Sequence, residues 1–157
     1  MKAATVHEIK KELATVENGS LIELCLRMAK YKNDNKELLT YLLFESHDEE
    51  GYVSAVKSYI DEQLEEVNRS NLYYTKKGLR KILRGVTRFL RYSGNKQTVV
   101  EVLIHFCHST KLSGIPIRRS KVIGNMYDMQ MKKINTALAT LHEDLQYDYQ
   151  QQIEKLY

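Results

Sequence analysis

Apolar residues recur along this chain at steps of three and four, the spacing of a single buried stripe on an α-helix. The clearest stripe consists of Leu72, Leu79, Ile82, Leu83, Val86, Phe89 and Leu90. Strand-like alternation is almost absent, and Ile115-Pro116-Ile117 is too short and too interrupted by proline to form a strand. The pattern therefore predicts an all-α fold.

Candidate N-caps divide the chain into about seven helices. The caps are Thr5, Ser20, Asp34, Asp48, Asn71, Thr98 and Ser120. Four of them have a glutamate three residues later, the pattern of a capping box. The predicted helices span residues 6–16, 21–31, 35–46, 49–67, 72–92, 99–111 and 121–156. Because the connections are short and polar, neighbouring helices are expected to be antiparallel, in an irregular bundle or a short α-α superhelix.

The last predicted helix, residues 121–156, would be about 55 Å long if it were unbroken. That length exceeds the width of a small domain, so we expect a kink or break near Gly124 or around His142–Asp144. The alternative is a protruding arm that pairs with a second copy of the chain, which would make the protein a homodimer.

Chain length and composition indicate one domain over residues 1–157. A single proline and seven glycines favour long helices. Cys25 and Cys107 both lie in apolar helical segments, so we expect two buried thiols in a reducing cytosol. No signal peptide opens the chain and no apolar run approaches the ~18 residues of a membrane span. We therefore expect a cytoplasmic protein that does not contact a membrane.

Charge is unevenly distributed, although the net charge is only +4. Residues 1–70 hold nine Lys/Arg and fourteen Asp/Glu, a formal charge of −5. Residues 71–133 hold fourteen Lys/Arg and two acids, a charge of +12. Residues 134–157 hold one lysine and four acids, a charge of −3. A basic block thus lies between two acidic ones.

The basic block is densest on the fifth predicted helix, where six cations share an arc of about 100° opposite the apolar stripe. These cations are Lys77, Arg80, Lys81, Arg84, Arg88 and Arg91. One explanation is a polyanion such as nucleic acid, with neighbouring tyrosines to stack on bases. The other, which we favour because charged helix faces are usually solvated or paired, is ion pairing with the acidic helices. Gly78 and Gly85 on this helix predict close approach of a neighbouring helix or a partner.

The loop before the last helix brings Arg118 and Arg119 to a helix start that Ser120 can cap. Helix N-termini favour anions, so the two arginines extend the candidate anion site, although a plain solubilising loop is the preferred interpretation.

Glu101, His105 and His108 are spaced i, i+4, i+7 on one helix, so they could face a divalent metal together. One helix supplies too few ligands for a closed site, and Glu101 also reads as part of a cap. No phosphate-binding loop, dinucleotide fingerprint or serine elbow is present. We therefore expect no cofactor and no catalytic residue.

The opening segment resembles the start of small uncharacterised all-helical bacterial proteins. The residues that carry this resemblance are Ile9-Lys10-Lys11-Glu12-Leu13, Leu21-Ile22-Glu23-Leu24 and Asn35-Lys36-Glu37-Leu38-Leu39. It covers about the first 45 residues. The resemblance implies an all-helical fold and no known activity, so no functional residue is carried over.

These observations rank three hypotheses for function. The first is a non-catalytic helical module that binds an unknown protein partner. The second is nucleic-acid or polyanion binding through the basic face of helix 72–92, together with Arg118 and Arg119. The third is a metal-dependent enzyme centred on Glu101, His105 and His108.

Overall fold

The computed structural model describes residues 2–156, and in that range the chain forms eight α-helices and no strand. The predicted all-α class is confirmed. The helices are α1 (Val6–Leu13), α2 (Asn18–Tyr31), α3 (Asn33–Thr40), α4 (Glu49–Glu65), α5 (Leu72–Ser93), α6 (Lys96–Leu112), α7 (Lys121–Leu138) and α8 (Glu143–Glu154). A π-helical turn, Tyr41–Glu45, follows α3, and a 3₁₀ turn, Ile117–Arg119, precedes α7.

The eighth helix exists because the last predicted helix breaks where the sequence indicated. α7 ends at Leu138, with Ala139 as its C-cap, and His142 caps α8 by accepting a hydrogen bond on its ring from the Asp144 amide. Gly124, the other predicted position for a break, lies inside α7. In the C-terminal segment Ile153 and Leu156 are almost fully buried within the chain. The apolar stripe that a pairing arm would need is therefore used internally.

Four of the predicted N-caps are confirmed. The Thr5 hydroxyl accepts from the Glu8 amide and completes a capping box, while Asp48, Asn71 and Ser120 each accept from an amide of the first turn. These four share a position directly before the first helical residue, where a short polar side chain can reach the free N–H groups.

Three predicted caps are wrong, because their helices begin earlier in the chain. α2 starts at Asn18 and α3 at Asn33, which places Ser20 and Asp34 inside the first turn. α6 starts at Lys96 and is capped by Asn95, and the Thr98 hydroxyl instead donates to the Glu49 carboxylate. Glu101 therefore takes no part in the cap of α6, which Asn95 provides.

The chain divides into two compact units, Met1–Leu43 and Phe44–Tyr157, and the expected single domain stays a prediction. The first unit contains α1 to α3, with α2 packed against α3. Among its described residues only Tyr41 is buried. Cys25 is exposed on α2, so the expectation of two buried thiols is wrong for this residue. The reason is that α2 has no buried position at all.

The second unit is built around α6, which contacts α4, α5, α7 and α8. α6 is apolar around most of its circumference, and Val100, Val102, Phe106 and Cys107 are each no more than 2% exposed. A helix that is enclosed in this way has its remaining polar positions at the edges between its neighbours. Those edges are where the cavities of this unit lie.

α5 packs closely on α4, as its two glycines predict. A Cβ on Gly85 would lie 2.5 Å from the Tyr59 hydroxyl, and one on Gly78 would lie 3.0 Å from a Val67 methyl. Tyr59 of α4 is therefore the reason for Gly85, and Val67 in the connection between α4 and α5 is the reason for Gly78. The contact fixes which side of α5 is buried, and leaves the basic side outward.

Candidate functional site

The basic face of α5 is the set of six cations predicted from the sequence. Lys77, Arg80, Lys81, Arg84 and Arg91 are exposed, and Arg88 is half-buried. α5 starts at the Asn71 cap and ends at Gly94, whose positive φ of 65° closes the helix, and it contains no acidic residue.

The five exposed cations of the basic face have no partner. In the part of the chain that the structure describes, no carboxylate oxygen lies within 4.0 Å of any of them. For these five residues, the ion pairing with acidic helices that we favoured from the sequence does not form within the described part of the chain. Like charges at i,i+3 and i,i+4 repel each other, so this face is a local source of instability that an anion would relieve.

Arg88 differs from the other five cations because it is held by aromatic packing. Its guanidinium carbon lies 5.8 Å from the centre of the Phe89 ring, and Phe89 makes edge contacts with Tyr59 and Tyr92. Guanidinium groups stack well on aromatic rings. Arg88 therefore fixes the C-terminal half of the face to the body of the unit.

Two grooves run along the sides of the basic face. The α5–α7 groove has a volume of about 470 Å³, and its cations are Arg91, Lys96, Lys132 and Lys133. No carboxylate lines it. The α4–α5 groove has a volume of about 270 Å³, and its cations are Lys77, Lys81 and Arg84, together with Glu66. The exposed cations thus continue from α5 onto α6 and α7.

Arg118 and Arg119 lie on the 3₁₀ turn that packs against α7, and both are exposed. The Arg118 guanidinium is 3.9 Å from the Asp128 carboxylate, and both side chains are mostly exposed, so this pair contributes little. Neither arginine lines one of the two grooves. Ser120 caps α7 as predicted, but nothing in the structure joins this loop to the basic face.

Glu101, His105 and His108 line a separate cavity of about 520 Å³, the α6–α8 cavity. Glu101 accepts hydrogen bonds from the Tyr149 hydroxyl at 2.6 Å and from Lys57 at 3.3 Å. Gln97 also donates to Glu101 at 3.1 Å. The structure therefore brings together the three residues predicted from the sequence, but the carboxylate is already fully engaged.

The polar network fixes the charge states of two groups in this cavity. Burial raises the pKa of Glu101, but the hydrogen bonds from Tyr149, Gln97 and Lys57 outweigh it, and the pKa is lowered overall. Burial, followed by the bond to Glu101, raises the pKa of Tyr149 to about 12. Glu101 is thus an anion and Tyr149 a neutral donor near neutral pH, and neither is suited to exchange protons there.

His105 is engaged with Asp61 and Ser109. Its Nε2 lies 2.9 Å from both Asp61 carboxylate oxygens and 3.3 Å from the Ser109 hydroxyl, which itself donates to Asp61 at 2.8 Å. A serine nucleophile is activated when serine and aspartate contact opposite ring nitrogens of the histidine. Here both meet the same nitrogen, so the arrangement ties α4 to α6 and does not activate the serine.

Within residues 2–156, no group of three or more His, Cys, Asp or Glu side chains is placed to hold a metal ion. Glu101 and His105 each contact a partner on another helix, and the metal hypothesis stays a prediction. In the same range no helix combines the length and apolar character that crossing a membrane requires.

No protein-family model, no curated protein and no solved structure matches this chain. The resemblance of its opening segment to bacterial helical proteins therefore stays a prediction. The function of the site therefore has to be inferred from its residues, their charges and their contacts.

Sequence reasoning missed Lys96, Lys132 and Lys133 as site residues. All three were counted in the basic block, but they come from two helices whose packing next to α5 is not visible in the sequence. A helical-wheel projection of α7 places Lys132 and Lys133 on either side of Met129, so this signal is present in the sequence.

Proposed function

We propose that this chain is a non-catalytic module that binds nucleic acid by its phosphate backbone, along the basic face of α5. The observation that carries the proposal is the set of five exposed cations that have no carboxylate oxygen of residues 2–156 within 4.0 Å. Uncompensated cations that repel each other are stabilised by a ligand of high negative charge density.

The length of the basic face supports a polyanion. From Lys77 to Arg91 the six cations span about 21 Å of helix axis, roughly one cation every 4 Å. Duplex DNA carries one charge per about 1.7 Å of axis and each of its strands one per about 3.4 Å, whereas acidic side chains on a protein seldom form so continuous a line. Exposed Tyr73 and Tyr74 at the start of α5 add stacking surfaces beside the cations.

The test is fluorescence anisotropy with a labelled oligonucleotide of about 20 nucleotides, over a series of salt concentrations. The variant Lys77→Glu, Arg84→Glu is expected to lose about 100-fold in affinity at ~50 mM salt, and the slope of log K against log salt should fall by about two.

The matched control is Lys10→Glu, Lys11→Glu on exposed positions of α1, which changes the net charge by the same amount, from +4 to zero. This control should retain affinity within about threefold. Failure of the natural protein to bind at low salt, or an equal loss in the control, would contradict the proposal.

A second candidate function is protein–protein interaction through the first unit. None of α1, α2 and α3 buries a residue, and Ile22, Cys25 and Leu26 form an exposed stripe at helical spacing on α2. A unit of about 40 residues seldom supplies a sufficient core alone. We take a second copy of the chain as the partner, because one apolar helix stripe complements itself across a two-fold axis.

Light scattering over a range of protein concentrations tests self-association. A dimer is expected, and Leu26→Glu should convert it to a monomer, while Glu23→Gln on the same helix should leave it a dimer. A monomer at high concentration would eliminate this second candidate.

A further inference from the structure

The α5–α7 groove combines three features that suit a small anionic ligand. Its rim carries Arg91, Lys96, Lys132 and Lys133 without a carboxylate, and its floor is apolar, formed by residues such as Leu90, Val99 and Leu103. A volume of about 470 Å³ lies in the range of small-ligand sites. The groove therefore fits a ligand that is anionic at one end and apolar at the other.

Gln130 adds a hydrogen-bond acceptor to this groove. Its side chain lines the groove, is 3% exposed, and its Nε2 donates to the Met126 carbonyl at 3.1 Å. Among the described residues, no donor reaches the Gln130 Oε1. The fully buried side-chain atoms without a partner do not include Gln130 Oε1, so this oxygen is open to the groove and can accept a hydrogen bond from a ligand N–H group.

We propose that the α5–α7 groove holds one nucleotide of a single-stranded nucleic acid. Its phosphates contact the cationic rim, its base lies on the apolar floor, and an N–H of the base donates to Gln130 Oε1. The inference rests on the proposed nucleic-acid binding and names its substrate class. Arg91 belongs to both the basic face and the groove, so a strand that follows the face enters the groove at that residue.

Single strands are favoured over duplexes for a geometric reason. In a duplex every base is stacked and paired, and the base edges carry their hydrogen bonds within the helix. An unpaired base turns away from the strand at a small cost and offers both its flat face and its N–H groups. The groove therefore discriminates between strand forms, whereas the basic face alone binds both.

The experiment compares three labelled ligands of equal length by anisotropy: oligo(dT), its duplex with oligo(dA), and an abasic strand that keeps the phosphates. For the natural protein we expect oligo(dT) to bind about tenfold more tightly than either of the others. The groove variant Lys132→Gln, Lys133→Gln should reduce oligo(dT) affinity about tenfold and duplex affinity less than threefold.

A control variant and an NMR measurement complete the experiment. The control Lys10→Gln, Lys11→Gln removes the same charge from α1 and should affect no ligand. The methyl NMR signal of Met129, which lines the groove and is 56% exposed, should shift with oligo(dT) but not with the abasic strand. This signal reports occupancy even if a groove variant folds poorly.

Equal binding of the three ligands, with equal losses in the groove variant, would overturn the groove inference and leave the proposed function standing. No binding of any ligand at low salt would remove both. Tight binding of free thymidine monophosphate without a preference for oligo(dT) over the abasic strand would also overturn it, by showing that the groove takes a free nucleotide.

Discussion

The α5–α7 groove and the α6–α8 cavity are similar in size, about 470 and 520 Å³, and α6 forms a wall of both. They differ in how charge is compensated. In the α6–α8 cavity Glu101 is bonded to Lys57 and Tyr149, and His105 to Asp61. In the α5–α7 groove the cations have no acid beside them. Paired charges of the first kind stabilise the fold, and the unpaired charges of the second kind are those that we propose to bind a ligand.

The position of residues around α6 explains how one helix forms both sites. Glu101, His105 and His108 repeat at i, i+4, i+7 and face the α8 side. Val99 and Leu103 repeat at i, i+4 and face α5 and α7. The spacing that suggested a metal site thus describes one wall of a cavity, where Glu101 and His105 contact partners on α4 and α8.

The largest effect we expect is a difference in thiol reactivity, and it concerns α6, the helix that the groove and the cavity share. Cys107 in α6 is 0% exposed, and burial raises its pKa to about 12, whereas Cys25 on α2 is exposed. A thiol reagent at about pH 8 should modify Cys25 at once and Cys107 about a thousandfold more slowly, because Cys107 reacts only after unfolding. Mass spectrometry of timed samples measures both rates.

A Cys25→Ser variant provides the control, since it leaves Cys107 as the only thiol in the chain. Rapid modification of Cys107 in this variant would mean that α6 opens locally. The comparison of two fixed cavities on either side of that helix would then not hold.

Glu101→Gln tests whether the α6–α8 cavity stabilises the fold. The amide keeps the shape but loses the charge that binds Lys57 and Tyr149, so the free energy of unfolding should fall by about 1–2 kcal/mol. Urea denaturation followed by circular dichroism measures it. The matched control is Lys96→Gln in the α5–α7 groove, where no partner is lost and stability should change by less than about 0.5 kcal/mol.

The same variant predicts a pH dependence with a definite direction. Folding lowers the pKa of Glu101 from its usual value of 4.5, so the ionised carboxylate binds more favourably in the folded chain. This contribution is complete above about pH 4.5 and is lost as the pH falls through the lower folded value. The stability difference between the natural protein and Glu101→Gln should therefore shrink on acidification below that pH. A difference that stays constant would show that the charge of Glu101 is unimportant.

Sequence reasoning succeeded where the decisive information is local. The periodicity of α5 predicts its buried stripe, its basic face and the close approach at Gly78 and Gly85, because all of these follow from 3.6 residues per turn. The break before α8 is likewise local, since residues around His142 satisfy the first amides of a new helix.

Sequence reasoning failed where the answer depends on which helices are neighbours. Thr98 and Glu101 fit a capping box, but Glu49, Lys57 and Tyr149 from distant parts of the chain engage them. The partners of the basic face were misjudged for the same reason. Acidic residues abound in the sequence, yet within residues 2–156 packing brings no carboxylate oxygen within 4.0 Å of the exposed cations of α5.

The smallest effect we expect is a gain in stability instead of a loss. It tests the comparison between paired and unpaired charges most directly. Arg84 has Arg80, Lys81 and Arg88 at i±3 and i±4, so Arg84→Gln should raise stability by a few tenths of a kcal/mol at low salt. About 1 M salt should abolish the gain by screening the repulsion, while nucleic-acid affinity at low salt should fall. If Arg84→Gln stabilises the fold and weakens binding, Arg84 contributes to ligand binding at a cost to stability. Destabilisation by Arg84→Gln would instead mean that the basic face contributes to the fold, as Glu101 does on the other side of α6.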